Sequence, residues 1–348
     1  MENQLGAGSL TGSLTRTLSL DIARVTEGAA VAAARWRGRG DERQADAAAV
    51  SAMRKELSDL LLSGRVVIGE GERDEVSMLY IGEEIGRGGV PVDIAADPLE
   101  GTTLCAKSLP GALAVVAVAE QGGLLHAPAI YMEKIAIGPG FEEGLVSLDF
   151  SISENLNRLA GAKGVPVQEI TACVLDRPRH ARLIEEIRAA GAAVSLIGDG
   201  DIAGVIQTCE PEETGIDIYL GMGGAPEGVL AAAALRCIGG QMQGRLSALN
   251  DQQLRRAEAF GIKNLKRKYS VADMASGDII FSATGVTDGS LLSGVKFCDG
   301  QIETHTVIMR SATRTVRWIY AEHMDTSKFD RALQDAPTPG EERQLAEA

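Results

Sequence analysis

The spacing of apolar residues predicts helices first and strands afterwards. Apolar residues recur at intervals of three and four over residues 19–36 and again over residues 44–62, which predicts two helices. Two short apolar runs, at residues 65–68 and 91–96, predict strands. In the second run, apolar and polar positions alternate as in a half-buried strand. The first part of the chain is therefore predicted to mix helices with strands.

Further along, the pattern indicates a sheet built from alternating strands and helices. Residues 112–120 and 124–137 are predicted as an antiparallel pair joined by a glycine turn. From about residue 152 strands alternate with helices, which predicts βαβ units in a parallel or mixed sheet. The strands are predicted at residues 171–175, 193–197, 216–220 and 278–284, and residues 301–318 are predicted to form one or two more. A further helix is predicted at residues 251–260. The fold class predicted is α/β, with an α+β N-terminal half.

Length and composition predict two domains between loose ends. A chain of 348 residues can bury a large core and is expected to divide into domains. Residues 1–16 are rich in Gly, Ser and Thr and are predicted to be a flexible arm, and residues 331–348 a flexible tail. Between them we predict an α+β domain over residues 17–150 and an α/β domain over residues 151–330.

The net charge of −14 and the aromatic content of 4% argue against nucleic-acid binding, because no basic surface is available to neutralise phosphates. An acidic protein that handles an anionic substrate needs local cations or metal ions. The five cysteines are scattered and form no C-x-x-C pair, as in a reducing compartment. No apolar stretch reaches the roughly 18 residues of a membrane span. We expect a soluble, cytoplasmic protein that does not bind a membrane.

The stretch from Asp97 to Glu100 is the first candidate for chemistry. Asp97 is predicted at the end of a strand, Pro98 fixes φ for the first corner of a turn, and Gly101 tolerates a positive φ at its exit. The carboxylates of Asp97 and Glu100 and the carbonyl of Leu99 would then converge on one point. Three oxygens at one point suit Mg²⁺ or Mn²⁺. The alternative is an acidic surface turn.

Other residues near the ends of predicted helices and strands are candidates for catalysis or metal binding, and an ordinary structural role is the alternative for each. Thr102 follows the turn, where its hydroxyl could orient a water molecule and the amides of Gly101 and Thr102 could face an anionic oxygen. Glu70 stands between two glycines after a strand, as a metal ligand or at a hairpin tip. Asp46 lies in the first turn of a predicted helix, where it could be a ligand or simply complement the helix dipole.

Two strand-to-helix turns carry candidates for phosphate and sugar binding. Arg177 and Arg179 stand on either side of Pro178 and could clamp a phosphate, or could be solvated side chains before a helix. Asp199 and Asp201 could accept hydrogen bonds from sugar hydroxyls, or could cap the next helix. Ligands of such folds lie beyond the carboxyl ends of the strands.

Glu227 follows a proline at a predicted helix start, which is ordinary helix chemistry, but the small residues before it leave space for a ligand. The four histidines are too separated to indicate a zinc site, and neither a P-loop nor a G-x-S-x-G elbow is present. The Gly-x-Gly-Gly run at residues 221–224 lacks the Rossmann spacing. These observations argue against hydride transfer and acyl chemistry.

Taken together, these motifs closely resemble those of the class II fructose-1,6-bisphosphatases, some of which also act on sedoheptulose 1,7-bisphosphate. The Asp-Pro-x-acid-Gly-Thr turn also resembles the wider lithium-sensitive phosphatase superfamily. The resemblance runs from about Leu20 to about Trp318. It is carried by Trp36-x-Gly-x-Gly-Asp41, Ile68-Gly-Glu-Gly-Glu72, Met78-Leu-Tyr-Ile-Gly82, Asp97-Pro-Leu-Glu-Gly-Thr102, Tyr131-Met-Glu-Lys134, Arg177-Pro-Arg-His180, Asp199-Gly-Asp201, Gly223-Gly-Ala-Pro-Glu-Gly228 and Ile280-Phe-Ser-Ala-Thr-Gly285.

The resemblance implies a layered αβαβα sandwich, a homotetramer and hydrolysis of a sugar bisphosphate with Mn²⁺ or Mg²⁺. It assigns metal binding to the N-terminal domain and sugar-phosphate binding to the C-terminal one. Thr102, Asp97 and Glu70 would be catalytic, with Thr102 orienting the attacking water. The metal ligands implied are Asp46, Glu70, Asp97, Glu100 and Glu227. The substrate contacts implied are Glu100, Gly101, Thr102, Tyr131, Arg177, Pro178, Arg179, Asp199, Gly200, Asp201 and Gly224.

One departure from the family pattern concerns substrate binding. Glu42 stands where family members commonly have a lysine that contacts phosphate, and Arg177 replaces another common lysine with conservation of charge. The resemblance leaves two alternatives. One is an inositol- or nucleotide-phosphate phosphatase of the same superfamily, and the other is a catalytically silent protein that binds sugar phosphates.

Overall fold

The computed structural model describes residues 14–72 and 76–334. The predicted arm and tail therefore lie largely outside the described residues. The inner end of the arm is packed, since Leu14 is 1% exposed. Its backbone N–H donates to Asp278, and its carbonyl accepts from Arg310.

Eleven helices and fourteen strands are found in this described part of the chain. The helices are α1 Leu18–Ala34, α2 Glu42–Ser58, α3 Thr102–Lys107, α4 Ile152–Lys163, α5 Ala181–Ala189, α6 Asp201–Gln207, α7 Pro211–Thr214, α8 Ala225–Ile238, α9 Asp251–Ala259, α10 Val271–Met274 and α11 Ser327–Gln334. The strands are β1 Leu62–Ile68, β2 Glu84–Ile85, β3 Val90–Glu100, β4 Leu113–Glu120, β5 Tyr131–Ile137, β6 Thr171–Leu175, β7 Ala193–Ile197, β8 Ile218–Gly224, β9 Gln241–Ser247, β10 Lys268–Ser270, β11 Ile279–Gly285, β12 Lys296–Cys298, β13 Gln301–Arg310 and β14 Thr315–His323.

The strands form two mixed sheets. The eight-stranded sheet has the order β12-β13-β11-β4-β3-β1-β2, with β14 also paired to β13, and its parallel pair is β1 with β3. The six-stranded sheet has the order β10-β9-β5-β8-β6-β7, with β6 parallel to both β7 and β8. The prediction of βαβ units in a mixed sheet after residue 152 is confirmed for the second sheet.

The predicted antiparallel pair over residues 112–120 and 124–137 is wrong, because its two strands belong to different sheets. β4 pairs with β3 and β11, whereas β5 pairs with β8 and β9. The connection between them is mostly irregular. Its apolar residues Leu124, Ala127 and Ile130 are buried in the core between the sheets, so their burial comes from packing and not from a continued strand.

The helix predicted to end at residue 62 ends four residues earlier, at Ser58. Residues from Leu62 onward instead pair with β3 as strand β1. The division into domains at residue 150 stays a prediction. The sheets themselves do not follow that boundary, since β5 precedes it and joins the second sheet, while β11 follows it and joins the first.

The alternation of side chains along each strand separates three cores. On β4, Val116 and Val118 pack with α1 and α2, whereas Val115 and Ala117 point into the space between the sheets. On β5, Met132 faces that same central space. The strand's other face carries Ile135 and Ile137, which pack with α4 and α5. The layers are thus helix, sheet, helix, sheet and helix, an αβαβα sandwich in agreement with the prediction.

Helix α8 fills the central layer and sets how closely the sheets approach. It begins after Gly224, ends at Gly239 with a φ of +98°, and contacts strands of both sheets. The alanines at residues 231–234 are 0% exposed. Small side chains all round this helix are required because apolar neighbours press on it from two sides. The helix start also carries Glu227 to the edge of both sheets.

We predict that Ala232→Leu lowers the free energy of unfolding by about 1–3 kcal/mol, because the added carbons must enter a filled interior between two sheets. Thermal or urea unfolding followed by circular dichroism measures the change. Ala189→Leu on the exposed end of α5 is the control and should have little effect. Equal stability of the Ala232→Leu protein would contradict tight packing around α8.

Candidate active site

A cavity of about 490 Å³ lies where strands β1, β3, β6 and β8 end, between the two sheets. Almost all of the predicted site residues line it, although they come from distant parts of the chain. These residues are Asp46, Glu70, Asp97, Glu100, Gly101, Thr102, Arg177, Arg179, Asp199, Gly200, Asp201, Gly224 and Glu227. Tyr131 and Pro178 are not among the residues that form the lining. The convergence is a structural fact, and the role of each residue stays a prediction.

A bulge at the end of β3 positions the two acidic residues of the central motif. The predicted turn after Asp97 is wrong, because the strand continues to Glu100. Three steps along β3 are matched by two along β4, with Asp97 opposite Val115 and Glu100 opposite Leu113. The reversal comes only at Gly101, whose φ is +82°. A bulge re-aims side chains that would otherwise alternate, so both carboxylates reach the cavity.

Glu100 ties the first sheet to the start of α6. Its Oε1 accepts a hydrogen bond from the backbone N–H of Ile202 at 3.0 Å. Its Oε2 is buried and has no hydrogen-bond partner among the described residues. Burial, followed by the charges of Asp97 and Asp201, holds the pKa of Glu100 well above its usual range.

Glu70 enters the cavity through a close approach of two backbone segments. Its N–H donates to the carbonyl of Leu79 at 3.1 Å. A Cβ on Gly69 would lie 2.0 Å from that same carbonyl oxygen, so no larger residue fits there. The glycine before Glu70 is therefore required by the backbone contact, and Glu70 itself lines the cavity.

Buried like charges raise the pKa values of the acidic residues. Burial and then the Asp46 carboxylate raise the pKa of Glu70 to about 8. Burial also raises the pKa of Asp46 to about 6. The pKa of Asp97 is raised by burial and then by the charges of Glu227, Glu70 and Asp46, while the backbone N–H of Leu99 lowers it. Without cations this group of carboxylates repels itself.

The donor set fits hard divalent cations. All five predicted ligands are carboxylates, the donors that Mg²⁺ and Mn²⁺ prefer. The Oε2 atoms of Glu100 and Glu227 are both buried without a partner in the described structure, which is costly unless a ligand satisfies them. Over residues 14–72 and 76–334, however, no three His, Cys, Asp or Glu side chains already stand close enough to hold an ion directly.

Two arginines in the turn after β6 also line the cavity and define its arginine side. Arg177 donates to Asp199 Oδ1 at 3.1 Å and to the carbonyls of Asp176 and Gly198. Arg179 donates twice to the carbonyl of Met222, at 3.1 and 2.8 Å. A guanidinium has five N–H donors, so each arginine keeps capacity for an anion. These bonds hold both side chains in place at the cavity.

Tyr131 and His180 support the arginine side from behind. The guanidinium of Arg179 lies over the Tyr131 ring, 5.1 Å from its centroid. His180 is 3% exposed, and its Nδ1 lies 2.8 Å from the carbonyl of Leu175. Because its Nε2 accepts from the N–H of Met222, Nδ1 carries the proton and donates. His180 thus joins β6 to β8 as a structural residue.

Lys134 lies near the cavity and ends the motif that begins at Tyr131, but reasoning from sequence gave it no role. It is 1% exposed, and its Nζ lies 2.6 Å from Asp201 Oδ2. The available signal was its position in β5, where Lys134 falls on the same face as the buried Met132 and Ala136. A charged residue in the apolar row of a strand indicates a buried partner.

Glu42 lies beside the motif of residues 97–102 at the end of β3. Its Oε1 accepts a hydrogen bond from the hydroxyl of Thr103 at 2.9 Å. Its charge also contributes to the pKa of Asp199, which burial raises and Arg177 lowers. The residue that departs from the family pattern therefore places a negative charge near the arginine side of the cavity.

For the protein kept free of divalent ions, we predict that Glu70→Gln becomes stabilising as the pH rises. A carboxyl with a raised folded pKa contributes stability below its unfolded pKa of about 4.5, and this contribution is lost as the pH rises through about 8. Glutamine cannot ionise, so the free energy of unfolding of the variant should rise relative to that of the wild type between pH 5 and 8.5. The relative increase should reach up to a few kcal/mol, because a shift of one pKa unit is worth about 1.4 kcal/mol. Thermal unfolding in a chelating buffer measures this, and a constant difference across the range would contradict it.

Comparison with known proteins agrees with this site. The family model for bacterial fructose-1,6-bisphosphatase, glpX-encoded, matches residues 16–323. The D-fructose 1,6-bisphosphatase class 2/sedoheptulose 1,7-bisphosphatase of Synechococcus sp. (strain JA-3-3Ab) is 44% identical over 345 residues, which cover 91% of this chain and 98% of that protein. A protein of the same name from Synechococcus sp. (strain JA-2-3B'a(2-13)) is 43% identical over 345 residues, with the same coverage.

The fructose-1,6-bisphosphatase 1 class 2 of Escherichia coli (strain K12) is 44% identical over 325 residues, which cover 89% of this chain and 96% of that protein. Proteins of this family are phosphoric monoester hydrolases that depend on divalent metal ions, in agreement with the carboxylate-lined cavity. The chain therefore belongs to the glpX-encoded family of bacterial fructose-1,6-bisphosphatases.

Proposed function

We propose that the protein hydrolyses the 1-phosphate of fructose 1,6-bisphosphate, giving fructose 6-phosphate and phosphate, with Mn²⁺ or Mg²⁺. The observation that carries this proposal is that two chemically different groups of residues line one cavity. Its carboxylate side is formed by Asp46, Glu70, Asp97, Glu100 and Glu227, and its arginine side by Arg177 and Arg179. Such a cavity suits a substrate with one phosphate to be cleaved and a second to be held.

The carboxylate side is where the ions would be held. Asp46, Glu70, Asp97, Glu100 and Glu227 would be their ligands, by the type of donor and by the unpaired buried oxygens of Glu100 and Glu227. When bound, divalent ions polarise phosphoryl oxygens and lower the pKa of a coordinated water.

Thr102 and Gly101 contribute at the point where the 1-phosphate would lie. Thr102 is the first residue of α3 and lines the cavity next to Glu100. Its hydroxyl would orient the attacking water by a hydrogen bond, and the adjacent backbone N–H groups would face phosphate oxygens. Holding reactants in line in this way lowers the entropic part of the barrier.

The remaining residues would position the substrate. Arg177 and Arg179 would hold the distal phosphate with the N–H groups that their present partners leave free. Asp199 and Asp201 would accept hydrogen bonds from sugar hydroxyls. Gly224 would provide room, because a Cβ there would lie 1.9 Å from Glu227 Oε2 and displace that carboxylate.

Sedoheptulose 1,7-bisphosphate is a second candidate substrate, since the two Synechococcus relatives are named for both activities. A monophosphate of inositol or a nucleotide is disfavoured by the second, arginine-lined side of the cavity. A silent binding protein is disfavoured because all five acidic residues and Thr102 are present and line one cavity.

Assembly and compartment belong to the proposal as well. We infer a homo-oligomer, with a tetramer as the expected form. Trp318 and Tyr320 on β14 are 39% and 73% exposed, and exposed aromatic residues together favour an interface. Over residues 14–72 and 76–334, every helix is too short or too polar to span a membrane. Cysteines without disulfide bonds there accord with a cytoplasmic location.

The function is tested by phosphate release from fructose 1,6-bisphosphate and sedoheptulose 1,7-bisphosphate, each with Mn²⁺, with Mg²⁺ and with a chelator. We expect turnover with a divalent ion and none with the chelator. Asp97→Asn should reduce kcat by about a thousandfold or more, because a carboxylate that would hold a divalent ion loses its charge. Asp299→Asn in an exposed turn is the control. A wild type inactive with both ions, or an active Asp97→Asn, would refute the assignment.

We predict that Glu42→Lys lowers the KM for the bisphosphate by about threefold to tenfold, because it replaces a negative charge near the cavity by a positive one that attracts phosphate. Glu42→Gln should give a smaller decrease, since it only removes the repulsion. The steady-state KM at low and at high ionic strength measures both effects, and the differences should shrink in salt. A KM that rises in the lysine variant would show that the Thr103–Glu42 hydrogen bond matters more than the charge.

A further inference from the structure

Lys134 is an ammonium group held without access to solvent, next to the cavity but not in its lining. It lies in the middle of β5, and its side chain is 0% exposed. Charged side chains are almost never fully buried unless they are paired, because removal from water is costly. Its presence among the apolar residues of the central layer therefore calls for a specific partner.

That partner is Asp201, which lines the cavity. Lys134 Nζ donates to Asp201 Oδ2 at 2.6 Å, and the hydroxyl of Tyr219 donates to the same oxygen at 3.3 Å. The other oxygen, Oδ1, is buried and has no hydrogen-bond partner in the described part of the chain. Two donors from two neighbouring strands thus hold one oxygen, and the second is left for a ligand.

Two glycines make room for this ion pair. A Cβ on Gly223 would lie 1.9 Å from Asp201 Oδ2 and 3.1 Å from Lys134 Nζ. A Cβ on Gly228 would lie 3.2 Å from Lys134 Cε. Both glycines belong to the segment of residues 223–228, where β8 ends and α8 begins. The backbone of that run is therefore shaped around the lysine as well as around the cavity.

We propose that Lys134 is a positioning residue for the sugar. It holds Asp201 by Oδ2 so that Oδ1 is presented to a hydroxyl of the substrate. This inference rests on the proposed function, because it takes the bound molecule to be a sugar bisphosphate. The carboxylate must keep one orientation to accept that hydroxyl, and a buried ion pair with a second donor supplies it.

Lys134 also places a positive charge behind the acidic side of the cavity. Its side chain packs against Gly228, the residue after Glu227. Replacing the lysine by a neutral residue removes a positive charge from this region, so it adds no electrostatic repulsion toward a divalent cation. This separates a positioning role from a general structural one, since a disordered cavity would bind both sugar and metal less well.

The test uses Lys134→Met, Asp201→Asn and the double variant of the full chain. Lys134→Met should raise the KM for fructose 1,6-bisphosphate by about tenfold or more and change kcat by no more than about threefold. Calorimetry should show Mn²⁺ binding at least as tight as in the wild type. The control is Lys163→Met, which breaks another Lys–Asp pair, with Asp217, away from the cavity lining, and should leave the KM unchanged.

The double variant decides whether Lys134 acts through Asp201. We expect its KM to match that of Asp201→Asn alone, because the lysine has nothing left to orient. If Lys134→Met does not fold with its charge partner left buried, the comparison of Asp201→Asn with the double variant still applies. The inference is overturned if the KM of the double variant shows the product of the increases caused by the two single substitutions. It is also overturned if Lys134→Met leaves the KM unchanged, or if Mn²⁺ affinity falls together with sugar affinity. A wild type that releases no phosphate would refute the proposed function itself, and this inference with it.

Discussion

Repulsion among buried carboxylates is the constraint around which this molecule is built. Asp46, Glu70, Asp97, Glu100 and Glu227 come from a helix, a loop, a bulged strand and another helix, yet they line one cavity. Burial raises their pKa values, and neighbouring negative charges add to the increase for all of them except Asp46, so the fold holds them together at a cost in stability. A scaffold of five layers with tightly packed interiors is what keeps them from moving apart.

The same constraint explains the small residues around the cavity. Gly69 allows Glu70 to pass beneath the carbonyl of Leu79, and Gly224 leaves the space that the Glu227 carboxylate occupies. The alanines of α8 let the two sheets approach, so that strands from both end at the same place. Around the cavity, Gly69 and Gly224 therefore mark close approaches of backbone and charge.

Much of the fold could be predicted because its signals are local. The strands at residues 171–175 and 193–197 agree with β6 and β7, since strand and helix patterns alternate there without ambiguity. The connection between β4 and β5 could not be predicted, because a buried loop and a strand have the same apolar pattern when the partner is unknown. The bulge after Asp97 could not be predicted either, because the register of β3 depends on the neighbouring strand.

The site shows where such reasoning stops. Candidates with unusual chemistry in turns, such as Glu70 or Arg177, could be named from sequence, and the structure brings them together. The role of Lys134 could not be assigned, although the residue falls in one of the motifs, because its importance lies in a contact with Asp201, which is 67 residues away along the chain. A residue that acts through a partner leaves only a charge in an apolar row as its signal. Beside a cavity crowded with negative charge, this buried lysine is as much a part of the electrostatic design as the carboxylates, because it compensates the charge of Asp201 from outside the cavity lining.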